Sequence, residues 1–281
     1  MYCDKITFVI FTYNEEARIE RAVCNFKDFG KVLVVDNLST DRTRDIAMAA
    51  GVDVLVHKNP GWVEDENTVA VVKAAVTTPW LYWAYSDEIV DTGTMNAMLQ
   101  TVEAGSHSIV NIARKNYYYG AFCEGAYQNT LNRAFLKDAI DFSGNTIHRF
   151  GRVMVASAAI KFLDPSKYFV HHFISNSAKS YLRSLDGYTD IEAAHEALPS
   201  PGRLLLRVVK GFLGNYVVRG GRKAGNAGFY LGLQMVYYEL LLAMKVYERV
   251  HRLTTSTIED RNNRIRDALL VDLERTRTNA R

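Results

Sequence analysis

Cysteine is scarce in this chain: three residues among 281, Cys3, Cys24 and Cys123, odd in number and far apart. No CxxC pair and no zinc-ligand spacing occurs. A disulfide scaffold and a structural zinc site are excluded, and reduced thiols in a reducing compartment are expected. Excess charge is missing too. Lys+Arg 34 against Asp+Glu 31 gives a net charge of +3, too weak to imply nucleic acid. No G-x-G-x-x-G follows the first apolar run, no G-x-x-x-x-G-K-[ST] occurs, and no G-x-S-x-G occurs. These absences exclude a dinucleotide-binding cradle, a P-loop nucleotidase and a hydrolase elbow. The N-terminus has no basic region, and its apolar run is short before Thr12-Tyr13-Asn14-Glu15-Glu16. A secretory signal is therefore not expected, and the protein is expected to stay in the cytoplasm.

What is present is the composition of a soluble globular protein, 48% hydrophobic and 23% charged, with length for one or two domains and a large core. The first 112 residues alternate between two periods. Short apolar runs at 6–11, 31–35, 52–56, 80–85 and 108–112 read as buried strands. Between them, Ile19, Ala22, Val23 and Phe26 mark one face of a helix. Ser39, Thr40 and Asp41 offer an N-cap for a second helix reaching Ala50. Further helices are expected at 68–76 and 93–104. This alternation predicts an α/β fold with a mostly parallel, doubly wound, Rossmann-like sheet covered on both faces. Residues 115–172 lose the pattern and are expected to cover the sheet and shape a cleft. A helix at 177–198 ends at the linker Pro199-Ser200-Pro201-Gly202.

The linker divides the chain into an expected catalytic part, 1–198, and a helical C-terminal extension, 199–281. Residues 226–246 form a 21-residue, mostly apolar stretch that also holds Gln234, Glu239 and Lys245, which argues against a simple membrane span. Arg203, Arg207, Lys210, Arg219, Arg222 and Lys223 lie close by. An apolar helix pair with a basic margin suits either an anionic membrane surface or a second subunit. The Arg-rich tail beyond 249 reads as a solvated helix with ion pairs four residues apart.

In doubly wound sheets ligands sit beyond the carboxyl ends of the strands. There the chain places Thr12-Tyr13-Asn14-Glu15 after the first strand. Asp36-Asn37-Leu38-Ser39-Thr40-Asp41 follows the second and Ser86-Asp87-Glu88 the fourth. With no phosphate-binding glycine loop, a nucleotide would need a divalent cation held by a carboxylate such as Asp87.

Residues 6–18, ITFVIFTYNEEAR, and 32–43, VLVVDNLSTDRT, resemble the opening of family two glycosyltransferases, whose A-type fold is of this α/β kind. WLYWAYSDE at 80–88 stands where that family carries an aspartate-any-aspartate metal motif. HHFISNSAKSYLRSLDGYTDIEA at 171–193 is similar to the stretch after the catalytic domain in the lipopolysaccharide-core glucosyltransferase branch. The resemblance implies that Thr12, Tyr13 and Glu15 line a nucleoside pocket, with Tyr13 against the base. Asp36 would accept from the uracil or ribose. Asn67 and Ser86 would stand near the donor, Asp87 would bind Mg²⁺ or Mn²⁺, and His172 would be a further metal ligand or touch the diphosphate. The chain departs from the pattern at Tyr85, in place of the first aspartate, and at Arg149, in place of a glutamate. Glu88 offers a second carboxylate beside Asp87, and His148, Asp141 and Glu124 are the candidate bases.

The implied activity is inverting, metal-dependent transfer of a sugar from a nucleotide-diphosphate donor, a UDP-sugar, to a hydroxyl of a glycan or glycolipid at the inner membrane face. The two departures keep a second reading open: a catalytically inactive relative that binds sugar nucleotide or acts as a membrane scaffold. The expected partners are donor, acceptor, and either a peripheral membrane contact or a homo-oligomer.

Overall fold

A computed structural model describes residues 2–59, 64–122, 129–145, 149–174 and 177–279. The chain begins as the periodicity predicts. Strands β1 (Ile6–Thr12), β2 (Lys31–Asp36), β3 (Asp53–Val56) and β4 (Trp80–Tyr85) alternate with helices α1 (Ile19–Phe26), α2 (Thr43–Ala49) and α3 (Glu66–Ala75). All four strands run parallel in the order β3-β2-β1-β4. β1, β2 and β4 are apolar on both faces because both are covered. On one face Phe8 stacks on Phe26 of α1, ring centres 4.7 Å apart. On the other, Trp83 packs against Phe11, Phe135, Phe142 and Phe150. Asp65 caps α3 by accepting from the Thr68 N–H, the expected chemistry of a helix start.

The middle of the chain differs from its sequence reading. After β5 (Glu88–Val90) and α4 (Thr92–Ala104), the described residues between 109 and 173 add strands to the sheet, except for two that pair only with each other as a separate antiparallel ribbon, 140–141 with 152–153. They form β6 (Ile109–Tyr118), β7 (Ala121–Phe122), β8 (Asn129–Leu136), β9 (Ile140–Asp141), β10 (Arg152–Val153), β11 (Ile160–Phe162) and β12 (Phe169–Phe173). The sheet continues β4-β8-β6-β12-β5, with β8 antiparallel to both of its neighbours. The fold is thus mixed α/β, parallel at one end and largely antiparallel at the other. Periodicity failed here because these strands carry polar and aromatic residues toward a cleft. In the run Tyr117-Tyr118-Tyr119, Tyr117 stacks on Phe173 at 4.6 Å and its hydroxyl meets His171 at 2.9 Å, so it packs β6 against β12.

Beyond the sheet come α5 (Ala178–Ala193), α6 (Pro201–Leu213), α7 (Gly225–Val250) and α8 (Thr255–Asn279). α7 lies along α5. Leu242 and Val246 bury against Ala193, Tyr238 donates to Glu192, and Lys245 reaches Asp186 and Asp190 at 2.7 and 2.6 Å. Residues Gly221–Val250 are long and apolar enough to cross a bilayer by length and composition, yet these polar ties bind the helix sideways to α5. Gly228 permits close contact, since a Cβ there would fall 1.7 Å from the carbonyl oxygen of Gly221. Through residue 276, α8 is exposed except at the half-buried Thr257, as the tail's composition predicts.

Candidate active site

Register brings the carboxyl ends of three strands level: Thr12 pairs with Asp36 and Phe11 with Tyr85. The two loops that leave β1 and β2 are then stitched together. The Asn14 N–H donates to Ser39 Oγ at 2.9 Å, and the Glu15 N–H to Thr43 Oγ1 at 2.7 Å. The Glu16 N–H donates to Asp41 Oδ2 at 3.1 Å, and Asn14 Oδ1 accepts from the Thr40 N–H at 2.8 Å. Asn14 and Leu38 sit at φ 55° and 60°, a left-handed geometry that costs a leucine about 1–3 kcal/mol. Most of the lettering of TYNEE and DNLSTDRT is therefore scaffold. Its purpose is to hold Thr12, Tyr13, Glu15 and Asp36 in place.

A cavity of about 520 Å³ opens at this edge. Thr12, Tyr13, Glu15, Ser86, Asp87 and His172 all line it, so six of the residues singled out in the sequence are brought together. Tyr13 keeps 39% of its surface exposed. Arg18 clasps the Glu15 carboxylate at 2.5 and 2.7 Å. Burial is the larger influence on Glu15 and raises its pKa despite that arginine.

Asp36 lies beneath this edge, fully buried. Its Oδ2 accepts from the Ser39 N–H at 3.0 Å, with Arg44 at 3.6 Å. Its Oδ1 and the neighbouring Thr12 Oγ1 are buried without a hydrogen-bond partner among the described residues. An unsatisfied buried polar atom costs about 1–3 kcal/mol, and here two fall on register-paired residues at the strand ends. Thr12 lines the cavity, whereas Asp36 lies behind it and is absent from the lining.

The turn after β4 carries Asp87. His172, on β12, is placed by register between Glu88 and Asn116. Its Nδ1 donates to Asn116 Oδ1 at 2.7 Å, which leaves Nε2 facing Asp87 Oδ2 at 3.3 Å. Two acceptor atoms at that separation need a cation between them, either a proton or a metal ion. Burial alone would raise the Asp87 pKa, but the hydrogen bond and charge of His172, with Arg114 and Arg18, bring it below its ordinary value. Mg²⁺ commonly takes one or two protein ligands and completes its shell with phosphates and water. The pair fits that role, and no group of three or more His, Cys, Asp or Glu side chains able to hold a metal occurs among the described residues.

Glu88 does not join this pair. It is fully buried and accepts from Arg114 at 2.5 Å and from Arg133, so it fixes the turn from below. Asn67 is not brought to the cavity either. It is exposed on the first turn of α3, while the next residue, Thr68, points inward and lines the cavity. Asp141 is also elsewhere: Ser143 and Arg152 hold its carboxyl at about 2, and it is absent from the lining. A carboxylate held that low is a poor base at neutral pH. Glu124 and His148 lie outside the described residues.

Sequence reasoning missed several cavity residues. Tyr85, where the family pattern has aspartate, donates to Glu64 from the loop before α3, so a carboxylate stands at the tip of that tyrosine. Burial raises the Glu64 pKa above its usual value, against the opposing Tyr85 hydrogen bond. No local pattern marks Glu64. Arg133, 2% exposed, donates to the Trp83 carbonyl oxygen at 2.9 Å and lies 5.5 Å from the Tyr85 ring. An arginine inside the apolar run Leu131–Leu136 was its only signal. Tyr188 of α5 also lines the cavity, as does Arg149, where the sequence departs from the family pattern.

Comparison with known proteins bears on this geometry. Residues 7–162, more than half of the chain, match the family model described as Glycosyl transferase family 2. An uncharacterised glycosyltransferase of Rickettsia typhi is 48% identical over 60 residues, 21% of this chain and 20% of that protein. Glycosyltransferase AglJ of Haloferax volcanii is 27% identical over 136 residues, 47% of this chain and 44% of that protein. The chain thus spans less than half the length of these two relatives. Among solved structures, the mannosyltransferase PcManGT from Pyrobaculum calidifontis, in complex with GDP-Man and Mn²⁺, superposes with a TM-score of 0.49 at 13% identity. The alignment covers 88% of each chain.

Proposed function

Because the chain belongs to glycosyl transferase family 2, we propose that it transfers a sugar from a nucleotide-diphosphate donor, a UDP-sugar, to a hydroxyl of a glycan or glycolipid, with inversion at the anomeric carbon. The observation that carries this reading is the opposed pair Asp87 and His172, 3.3 Å apart, on the wall of a cavity that Thr12 also lines, its hydroxyl unpartnered among the described residues.

In this mechanism Tyr13 packs on the base, and Thr12 Oγ1 accepts from the nucleoside. Asp87 and His172 would hold Mg²⁺ or Mn²⁺, which when bound would offset charge on the leaving diphosphate. Glu64, held by Tyr85, supplies the carboxylate missing from position 85 and accepts from donor hydroxyls. The acceptor oxygen approaches from the face opposite the diphosphate, and a side-chain base takes its proton. With Asp141 tied to Arg152, that role is assigned to Glu124 or His148.

The test is UDP release from a panel of UDP-sugars with Mn²⁺ or Mg²⁺. Release that depends on metal and disappears in Asp87→Asn supports transfer. Comparing Glu124→Gln with His148→Ala then identifies the base. The substitution of Tyr85 favours a second reading, a sugar-nucleotide binder without turnover. Tight UDP binding with no release under any acceptor would establish that reading and overturn the first.

A further inference from the structure

α6 is built the wrong way round for a helix on a water-soluble protein. Its half-buried residues, Leu204, Val208, Gly211 and Phe212, face the body of the protein. Phe212 packs edge-on to Phe229 of α7, ring centres 5.6 Å apart. The opposite face should be polar. Instead it presents Leu205 (65% exposed), Leu206 (52%), Val209 (46%) and Leu213 (50%), continued after the helix by Val218 (84%). At 100° per residue these four helical positions fill one outward stripe, and Arg203 and Lys210 line its border.

The charge around this stripe is of one sign. Between Glu196 and Glu239 there is no acidic residue, while Arg203, Arg207, Lys210, Arg219, Arg222 and Lys223 supply six positive charges. Among the described residues, Arg207 alone of this set has a carboxylate partner, Glu196 at 2.8 Å. A second copy of this face would bring like charges together, which opposes self-association. A bilayer rich in acidic lipid supplies both missing halves: an apolar layer for the stripe and negative headgroups for its border.

We infer that α6 and the turn after it form an in-plane membrane-docking surface for anionic lipid. The stripe enters the headgroup boundary and the basic side chains rest on the phosphates. α7 does not span the bilayer in this arrangement, since Lys245 remains paired with Asp186 and Asp190 of α5. The inference stands apart from the catalytic reading, as neither the cavity nor the metal pair enters it.

The test is flotation of the full chain with phosphatidylcholine vesicles, with and without phosphatidylglycerol. Binding is expected only to the mixed vesicles, weakening as salt rises. Leu205→Glu/Val209→Glu should lower it at least tenfold while leaving the thermal transition and UDP binding in solution unchanged. Each of Arg203→Ala, Lys210→Ala and Arg219→Ala should weaken it roughly fivefold at low salt. Leu206→Trp should show a blue-shifted emission with the mixed vesicles, which reports burial directly. Failure of the wild-type chain to float with phosphatidylglycerol overturns the inference. So does equal binding by the double variant. A wild-type dimer by light scattering that Leu205→Glu/Val209→Glu converts to monomer would assign the stripe to a protein interface instead.

Discussion

Replacing Glu88 with glutamine tests how the turn bearing Asp87 is held. Glu88 is completely buried, between Arg133 at 2% side-chain exposure and Arg114 at 15%. Two guanidinium groups thus share one carboxylate that has no solvent exposure of its own. Taking one partner from such a group leaves an uncompensated charge and costs about 3–5 kcal/mol. Glutamine keeps the shape and one acceptor oxygen, so the loss isolates the charge. Against a typical total of about 5–15 kcal/mol, that is a large fraction. At roughly 2–4 °C per kcal/mol, Tm should fall by about 6–20 °C. Urea unfolding followed by tryptophan emission is a suitable assay, because Trp83 is fully buried beside the site. Replacing all three residues by apolar ones (Glu88→Leu, Arg114→Met, Arg133→Met) should restore most of the loss, since no buried charge then remains. A loss below about 1 kcal/mol for Glu88→Gln would refute the argument. It would mean that the arginines are solvated or paired elsewhere.

Other predictions follow from the same geometry. Asp87→Asn should abolish metal-dependent UDP release, and His172→Ala should weaken Mn²⁺ binding, read by titration calorimetry, by at least tenfold; unchanged affinity in both would remove the metal assignment. Chelation with EDTA should stop turnover, and added Mn²⁺ should restore it. Burial raises the Glu64 pKa above its unfolded value, so its contribution to stability is fully present below the ordinary carboxylate range and is lost as pH rises through the folded value. Glu64→Gln should therefore gain stability relative to wild type between about pH 4 and neutrality; scanning calorimetry showing the reverse slope would contradict this. Asn67→Ala should leave UDP affinity within about twofold, because the side chain lies on the outer face of α3. A larger loss would place Asn67 in the site.

What the sequence determined by itself is local and periodic. The apolar runs of β1, β2 and β4, short and rich in β-formers, read as buried strands, and the spacing of Ile19, Ala22, Val23 and Phe26 reads as a helix with one buried face. The same lettering located the strand ends, and thereby Thr12, Tyr13, Asp36 and Asp87. Tertiary structure decided what depends on residues distant in the chain. His172 meets Asp87 only because β12 inserts between β5 and β6. Glu64 reaches Tyr85 across 21 positions, and Arg133 reaches Glu88 across 45. Asp141 looked available until Arg152 of the adjacent strand was seen to hold it. The outward apolar stripe of α6 has the same origin. Periodicity shows that a helix has two faces, but only its packing against α7 shows which face is left for the surroundings.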